Sequence, residues 1–343
     1  MVERLNLAFR VDAGTDCGIG HFMRCLALAE ALQRAGYSVY FFMSSVPENL
    51  KDHAESKGIK VFVFGENVVR GSEKDSDLFV GYLKSEVYDW VIYDGYEFKE
   101  DYRERVNSSV RHTLIIQDVP GDYSDAYLVL NQNVNVGTRD NRLGANGKLL
   151  TGTLYSLITG RHDLREKRLA TYKQKQETNI LITLGGADVR NLTLPVVESL
   201  MELDVNMDVV LGPACSWDQS DFDGLEDKLN VHVSPNGLDQ LIAGADIGVM
   251  SMGITTWEMC FYGLPFVMLG CNRNQQPIID WFVERELAIN GLYKGEFVPD
   301  YFIQSVEEYL HNPAMRRICS ENLMQMVDGK GPGRVVKEIN NII

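Results

Sequence analysis

Twice along this chain a run of strand-forming apolar residues passes directly into glycines and then into a segment of helical periodicity. The first run is Leu5 to Val11, followed by a turn holding Gly14, Gly18 and Gly20 and then by Phe22, Leu26, Ala29 and Leu32 at helical spacing. The second is Asn179 to Leu184, followed at once by Gly185 and Gly186. Glycine tolerates the backbone angles of a tight turn, and the change of apolar period across it marks a strand giving way to a helix. Such a βα opening belongs to a parallel sheet with crossover helices, and its recurrence predicts two of them.

The runs Tyr37 to Met43, Val61 to Phe64, Trp90 to Tyr93, Leu114 to Ile116 and Leu128 to Asn131 continue the first series. Val205 to Leu211, Val231 to Val233, Asp246 to Met250 and Pro265 to Gly270 continue the second. The expected fold class is α/β, with two Rossmann-like domains facing each other across a cleft. A length of 343 residues agrees, at roughly 150 residues per domain. Residues 161–178 are polar and largely basic, and read as a solvated helix or linker. The expected domains are therefore 1–160 and 179–343, with the helical pattern from Asp300 onward packing back on the first.

Charge narrows the partners. Asp and Glu outnumber Lys and Arg by 48 to 33, a net charge of −15, the wrong sign for a protein that holds a phosphate backbone. Nucleic acid is thereby disfavoured. The residues from Met1 to Thr15 lack the basic, apolar and small-residue succession of a signal peptide. No stretch reaches the roughly 18 uncharged apolar residues of a membrane span. Six scattered cysteines without a CxxC pair read as reduced thiols, and the expected location is the cytoplasm. The oligomeric state stays open at this level.

The richest segment runs Arg10-Val-Asp12-Ala-Gly14-Thr-Asp16-Cys-Gly18-Ile-Gly20-His21-Phe-Met-Arg24. It is neither a dinucleotide fingerprint, which needs glycine at Met23, nor a P-loop, which needs a lysine. Its glycines let backbone approach a ligand, and His21 stands at a helix start, where the dipole disfavours an imidazolium and leaves a proton acceptor. The plainer reading makes His21 a capping residue. Asp12 either orients the imidazole or caps the turn.

A second candidate is Ser251-Met-Gly253-Ile-Thr255-Thr-Trp257-Glu258, directly after a strand. Small residues at a strand-to-helix turn leave N–H groups free for a diphosphate, worth up to about 1–2 kcal/mol each when partly buried. Glu258, deeper in the helix, suits the two hydroxyls of a ribose; its plainer reading is a solvated helix residue. Gly185-Gly186-Ala-Asp188 with Asn191 is a third turn of the same kind. Asn274 and Gln275 offer amides to hydroxyls, and Asp94 and Asp118 follow strands on the ligand-facing edge. No His or Cys cluster has metal-ligand spacing.

Arg10-x-Asp12 with Gly18-Ile-Gly20-His21-Phe-Met23-Arg24-Cys25-Leu26 resembles the opening motif of the UDP-2,4-diacetamido-2,4,6-trideoxy-β-L-altropyranose hydrolases of pseudaminic acid biosynthesis, which belong with spore-coat polysaccharide proteins to the GT-B superfamily. Asp94-Gly-Tyr96, Asn131-Gln-Asn133, Gly185-Gly186-Ala-Asp188, Ser251-x-Gly253 with Trp257-Glu258, and Asn274-Gln275 follow in the same order. The resemblance implies a GT-B-like fold, a UDP-sugar substrate, no metal and no cofactor. It makes His21 the base that activates water, with Asp12 beside it, and places Arg10, Gly18, Gly20, Arg24, Asp94, Tyr96 and Tyr155 around the substrate. Two departures fall on the sugar side. The segment Tyr155-Ser-Leu-Ile-Thr-Gly-Arg161 keeps only the tyrosine of the family's pattern, and Gln117-Asp118 stands where an acidic pair is expected.

The function expected is a hydrolase that releases UDP from a UDP-linked sugar, with inversion at C1. The rivals are a glycosyltransferase using the same UDP site, a hydrolysing epimerase, and a nucleotide-sugar-binding protein without turnover.

Overall fold

The computed structural model of the chain describes residues 5–14, 17–65, 67–134, 141–171, 178–235, 237–271 and 275–342. The chain forms two compact units: Met1–Ile158 with Lys330–Ile343, and Thr159–Gly329.

The first unit contains β1 (Asn6–Val11), α1 (Gly20–Arg34), β2 (Ser38–Met43), α2 (Glu48–Ser56), β3 (Lys60–Val63), α3 (Glu73–Ser85), β4 (Trp90–Asp94), α4 (Glu100–Asn107), β5 (His112–Ile116), β6 (Asp122–Tyr123), β7 (Leu128–Asn131), β8 (Arg142–Leu143) and β9 (Lys148–Thr151). Its main sheet is parallel, in the order β3-β2-β1-β4-β5-β7-β9, and β6 pairs with β8 apart from it. The chain leaves β1 in one direction and returns to the other side at β4, so the strand order reverses between these neighbours. In an open parallel sheet that reversal leaves a crevice at the carboxyl ends of the two strands.

The pleat sorts the residues of β1 between two cores. Leu7, Phe9 and Val11 pack with Phe22, Cys25, Leu26 and Leu32 of α1, whereas Ala8 packs on the opposite face with Tyr40, Phe42 and Phe79. Arg10 shares the parity of Ala8 and is fully buried on that second face, its guanidinium over the rings of Phe64 and Phe98. α1 ends as its sequence suggests, with Arg34 in the last turn and Gly36 at φ +98°. Truncating its fully buried Phe22 to alanine would cost about 3–5 kcal/mol.

The second unit contains α5 (His162–Thr171), β10 (Asn179–Thr183), α6 (Thr193–Leu200), β11 (Asn206–Leu211), β12 (Leu229–Val233), α7 (Asp239–Gly244), β13 (Ile247–Met250), α8 (Ile254–Tyr262), β14 (Phe266–Met268), α9 (Gln276–Val283), β15 (Ile289–Asn290), α10 (Pro299–Leu310) and α11 (Pro313–Met326). Its parallel sheet runs β12-β11-β10-β13-β14-β15, with the same reversal between β10 and β13.

The basic stretch read as a solvated helix or linker carries α5. α5 belongs to the second unit, where Arg165 donates to the carbonyls of Met324 and Val327 at 2.9 and 3.1 Å. Arg168, buried, donates to the carbonyl of Ala245. These cations sit at the C-terminal ends of α11 and α7, where unpaired carbonyls and the helix dipole attract them. Residues 172–177 lie outside the described residues.

The last helix, α12 (Gly331–Asn340), returns to the first unit. Val335, Val336 and Ile339 join the core beside α1, and Arg334 donates to the carbonyl of Leu154 at 2.9 Å. Gly331 permits the docking, since a Cβ there would lie 2.1 Å from the carbonyl oxygen of Ser156. No helix among the described residues is long and apolar enough to cross a membrane.

Candidate functional site

α1 follows β1 and lies beside β4, so its first turns overlook the carboxyl end of β4. His21 and Arg24 are three residues apart and share a helix face. Both meet Asp94, the last residue of β4. His21 Nδ1 is 2.6 Å from Asp94 Oδ1. Arg24 holds the same carboxylate with both arms of its fork, Nε to Oδ2 at 2.6 Å and Nη2 to Oδ1 at 2.6 Å. Burial alone would raise the pKa of Asp94, but the charges and hydrogen bonds of Arg24 and His21 overcome it and hold the carboxyl down at about 2.

An ionised carboxylate at this distance requires a hydrogen on Nδ1. Arg24 Nη2, 3.1 Å from Nδ1, therefore donates to Asp94 while lying alongside the ring. The consequence is a defined tautomer in which Nε2 carries the lone pair. The ring of Tyr96 meets that of His21 edge-on at 5.3 Å. Tyr96 is 59% exposed and donates from its hydroxyl to Asp118 at 3.2 Å. Asp118 also accepts from Arg24 at 2.8 Å and from Asn133 at 3.2 Å. A cavity of about 270 Å³ lies here, and its wall includes His21, Arg24, Asp94, Tyr96, Gln117 and Tyr123.

Asp12, expected beside the imidazole, is committed elsewhere. Its Oδ1 accepts from the Ser44 amide and hydroxyl and from the Ser45 amide, at 2.6, 2.9 and 3.1 Å. Its Oδ2 accepts from Arg10 at 2.7 Å. Arg10 in turn grips the fully buried Asp75 at 2.6 and 3.0 Å and donates to the carbonyl of Phe42. Arg10 and Asp12 thus tie β1 to the end of β2 and the start of α3. The sequence pattern joins them to His21, but the pleat turns Arg10 to the far face of the sheet. Arg24 spends its fork on two aspartates, which leaves it a positioning group.

Gly18 adopts φ +72° and accepts at its carbonyl from the Gly14 amide at 3.2 Å. A Cβ on Gly18 or Gly20 would meet nothing within 4 Å among the described residues. The N-cap residue of α1, Ile19, has no side-chain capping hydrogen bond. Tyr155, in the short turn Thr153–Tyr155, packs against the core of the first unit and does not line the cavity.

In the second unit the adjacency of β10 and β13 brings two of the expected turns together. A Cβ on Gly185, at φ +85°, would lie 3.2 Å from Ser251 Oγ. A Cβ on Gly212, after β11, would come within 2.5 Å of Gly186. The amide of Gly253 donates to Thr256 Oγ1 at 3.2 Å, and that of Thr256 to the Gly253 carbonyl. The amides of Ile254 and Thr255, at the start of α8, have no acceptor inside the helix. Glu258 is half-buried one turn on; burial, and then the charge of Asp239, push its carboxyl up to about 7, against a hydrogen bond with Thr255.

Three residues expected to contact ligand are engaged by the protein instead. Asp188, at φ +40°, accepts from the amides of Leu192 and Thr193, the Thr193 hydroxyl and the Trp217 indole, and so caps α6. Asn191 accepts from the Ser216 hydroxyl at 2.7 Å. Gln275 spends both ends of its amide on backbone, accepting from Cys271 N at 2.7 Å and donating to the Met252 carbonyl at 3.0 Å, and so braces the Ser251 turn. Asn274 lies outside the described residues. Among the described residues no three His, Cys, Asp or Glu side chains gather as a metal ion would need.

No protein-family model matches the chain. Over 98% of its length it is 27% identical to the uncharacterized protein MJ1062 of Methanocaldococcus jannaschii, of which it spans 66%. It is 22% identical to the spore coat polysaccharide biosynthesis protein SpsG of Bacillus subtilis, over 98% of each chain. Among solved structures, the glycotransferase of kitacinnamycin superposes with a TM-score of 0.69 at 16% identity, over 99% of each chain. That likeness shows the fold class, GT-B-like with two Rossmann-like domains.

Proposed function

We propose that this chain is an enzyme of polysaccharide biosynthesis that hydrolyses a UDP-linked sugar, with His21 as the general base. The coarse part of this reading, an enzyme acting on a nucleotide sugar, is supported by the GT-B fold and by the likeness to SpsG, a protein of spore coat polysaccharide biosynthesis. One observation carries the finer part: His21 Nδ1 is bound at 2.6 Å to a carboxylate that Arg24 keeps ionised, which leaves Nε2 to accept a proton. In the proposed step Nε2 takes a proton from water as the water oxygen bonds to C1 of the sugar. The bond from C1 to the diphosphate oxygen breaks, UDP leaves with that electron pair, and the single displacement inverts C1. Taken by itself, the second unit suits a nucleotide: the amides at the start of α8 lack an acceptor inside the helix and suit a diphosphate, and Glu258 suits ribose hydroxyls. A base so placed contributes about 10²–10⁴ in rate.

The second reading is transfer of the sugar to an acceptor hydroxyl, which the glycosyltransferase neighbours favour. Incubation with UDP-sugars in the absence of any acceptor separates the two. Hydrolysis yields UDP and a free sugar whose first-formed anomer, seen by NMR, is inverted; transfer yields neither. The diacetamido-trideoxy sugar of the resemblance is the proposed substrate, and turnover is expected to persist in excess EDTA.

A further inference from the structure

Gln117 follows directly on β5 and is 6% exposed. Its backbone is fixed by an amide donating to the Leu130 carbonyl at 2.9 Å. Its side-chain Nε2 donates to Asn141 Oδ1 at 3.3 Å, and its Oε1 is buried with no hydrogen-bond partner among the described residues. Buried acceptors are nearly always paired, because stripping water from a carbonyl without replacing its hydrogen bond is costly. Gln117 is a wall residue of the cavity that His21, Asp94 and Tyr96 also line. The buried unpaired atoms of Trp90 and His112 differ, since those residues begin β4 and β5 at the far end of the sheet and line no part of the cavity.

The cavity, at about 270 Å³, is at or below the small end of the roughly 300–1,000 Å³ range of whole-ligand pockets. It suits one ring with its substituents and is too small for an entire nucleotide sugar. The neighbouring polar groups are already paired: Arg24 with Asp94 and Asp118, Tyr96 with Asp118, and Arg103 with Asp125. Besides His21 Nε2, which the proposed chemistry uses, the buried acceptor of these wall residues without a partner among the described residues is Gln117 Oε1.

We propose that Gln117 reads the sugar: its Oε1 accepts a hydrogen bond from a donor substituent, an amide N–H or a hydroxyl, on the ring held in this cavity. The proposal rests on the nucleotide-sugar reading above and adds the group that selects the sugar. A site built to pair a substrate donor discriminates strongly against analogues that lack it, since the buried acceptor is then left unpaired again.

The test is equilibrium binding to His21→Asn protein, which avoids turnover, with and without Gln117→Met or Gln117→Leu. The probes are UDP, UDP-glucose, UDP-N-acetylglucosamine and UDP-2,4-diacetamido-2,4,6-trideoxyaltrose. The expected result is that at least one UDP-sugar binds tenfold or more tighter than UDP, and that either substitution brings this preference to within threefold of unity while UDP affinity and melting temperature hold. Acetamido sugars gaining over UDP-glucose would identify the donor as an amide; equal gains would identify a hydroxyl. A preference that survives both substitutions, or none in the parent protein, overturns the proposal. Loss of UDP binding itself overturns the nucleotide-sugar reading instead.

Discussion

His21 Nδ1 and Asp94 Oδ1 stand 2.6 Å apart across the junction of a helix start and a strand end. The pair exists because β4 lies next to β1 in the sheet, which sets the last residue of one strand beneath the helix that follows the other. Asp94→Asn offers Nδ1 an amide in place of a carboxylate, and the tautomer is no longer fixed. Turnover should fall by about 10²–10⁴, with a lower melting temperature as Arg24 loses its partner. Steady-state kinetics on the folded fraction checks this, and a rate within threefold of the parent would remove Asp94 from the account.

Asp12 should behave in the opposite way. It closes a buried network with Arg10, Ser44 and Ser45, and Asp12→Ala leaves Arg10 short of a partner, at a cost of about 3–5 kcal/mol. Thermal melting should show that loss, while kcat per folded molecule stays within a fewfold. A stable Asp12→Ala protein without turnover would restore Asp12 to the chemistry.

Glu258 sets a pH dependence. Its carboxyl is raised from 4.5 to about 7 on folding, so its contribution to stability is fully present below pH 4.5 and is lost as pH rises through 7. Glu258→Gln removes this term. The substituted protein should gain in melting temperature relative to the parent between pH 5 and pH 8, and should bind UDP more weakly if the carboxylate holds the ribose. Parallel melting curves across that range would contradict the assignment.

How far the sequence foretold this site depends on the range over which its parts interact. The two βα openings and most strands follow from local apolar runs and glycines, and their observed bounds differ by a residue or two from those read directly. His21 and Arg24 were visible for the same reason. The partner of His21 was not, because Asp12 is near in sequence and Asp94 becomes near only through the strand order. The pleat, which buries Arg10 on the far face, and the helix ends that claim Arg165 and Arg168 are likewise products of packing. Short β9 and β15 carry too few residues for a period to show. Asp188 and Gln275 offer free carboxylate and amide on paper; both are consumed by backbone groups that only the fold brings to them.

Gly185 gives a further check on the second unit. Gly185→Ala must adopt φ +85° with its Cβ 3.2 Å from Ser251 Oγ, a strained conformation costing about 1–2 kcal/mol. The displaced Ser251 turn should bind UDP less tightly by calorimetry, with His21-dependent proton transfer untouched at saturating substrate. Undiminished UDP affinity would separate this turn from the nucleotide.

The most direct measurement is single-turnover hydrolysis of a UDP-sugar by His21→Asn, alongside its affinity for UDP. The account predicts a rate reduced by about 10² or more with UDP binding nearly intact. An unchanged rate would contradict it.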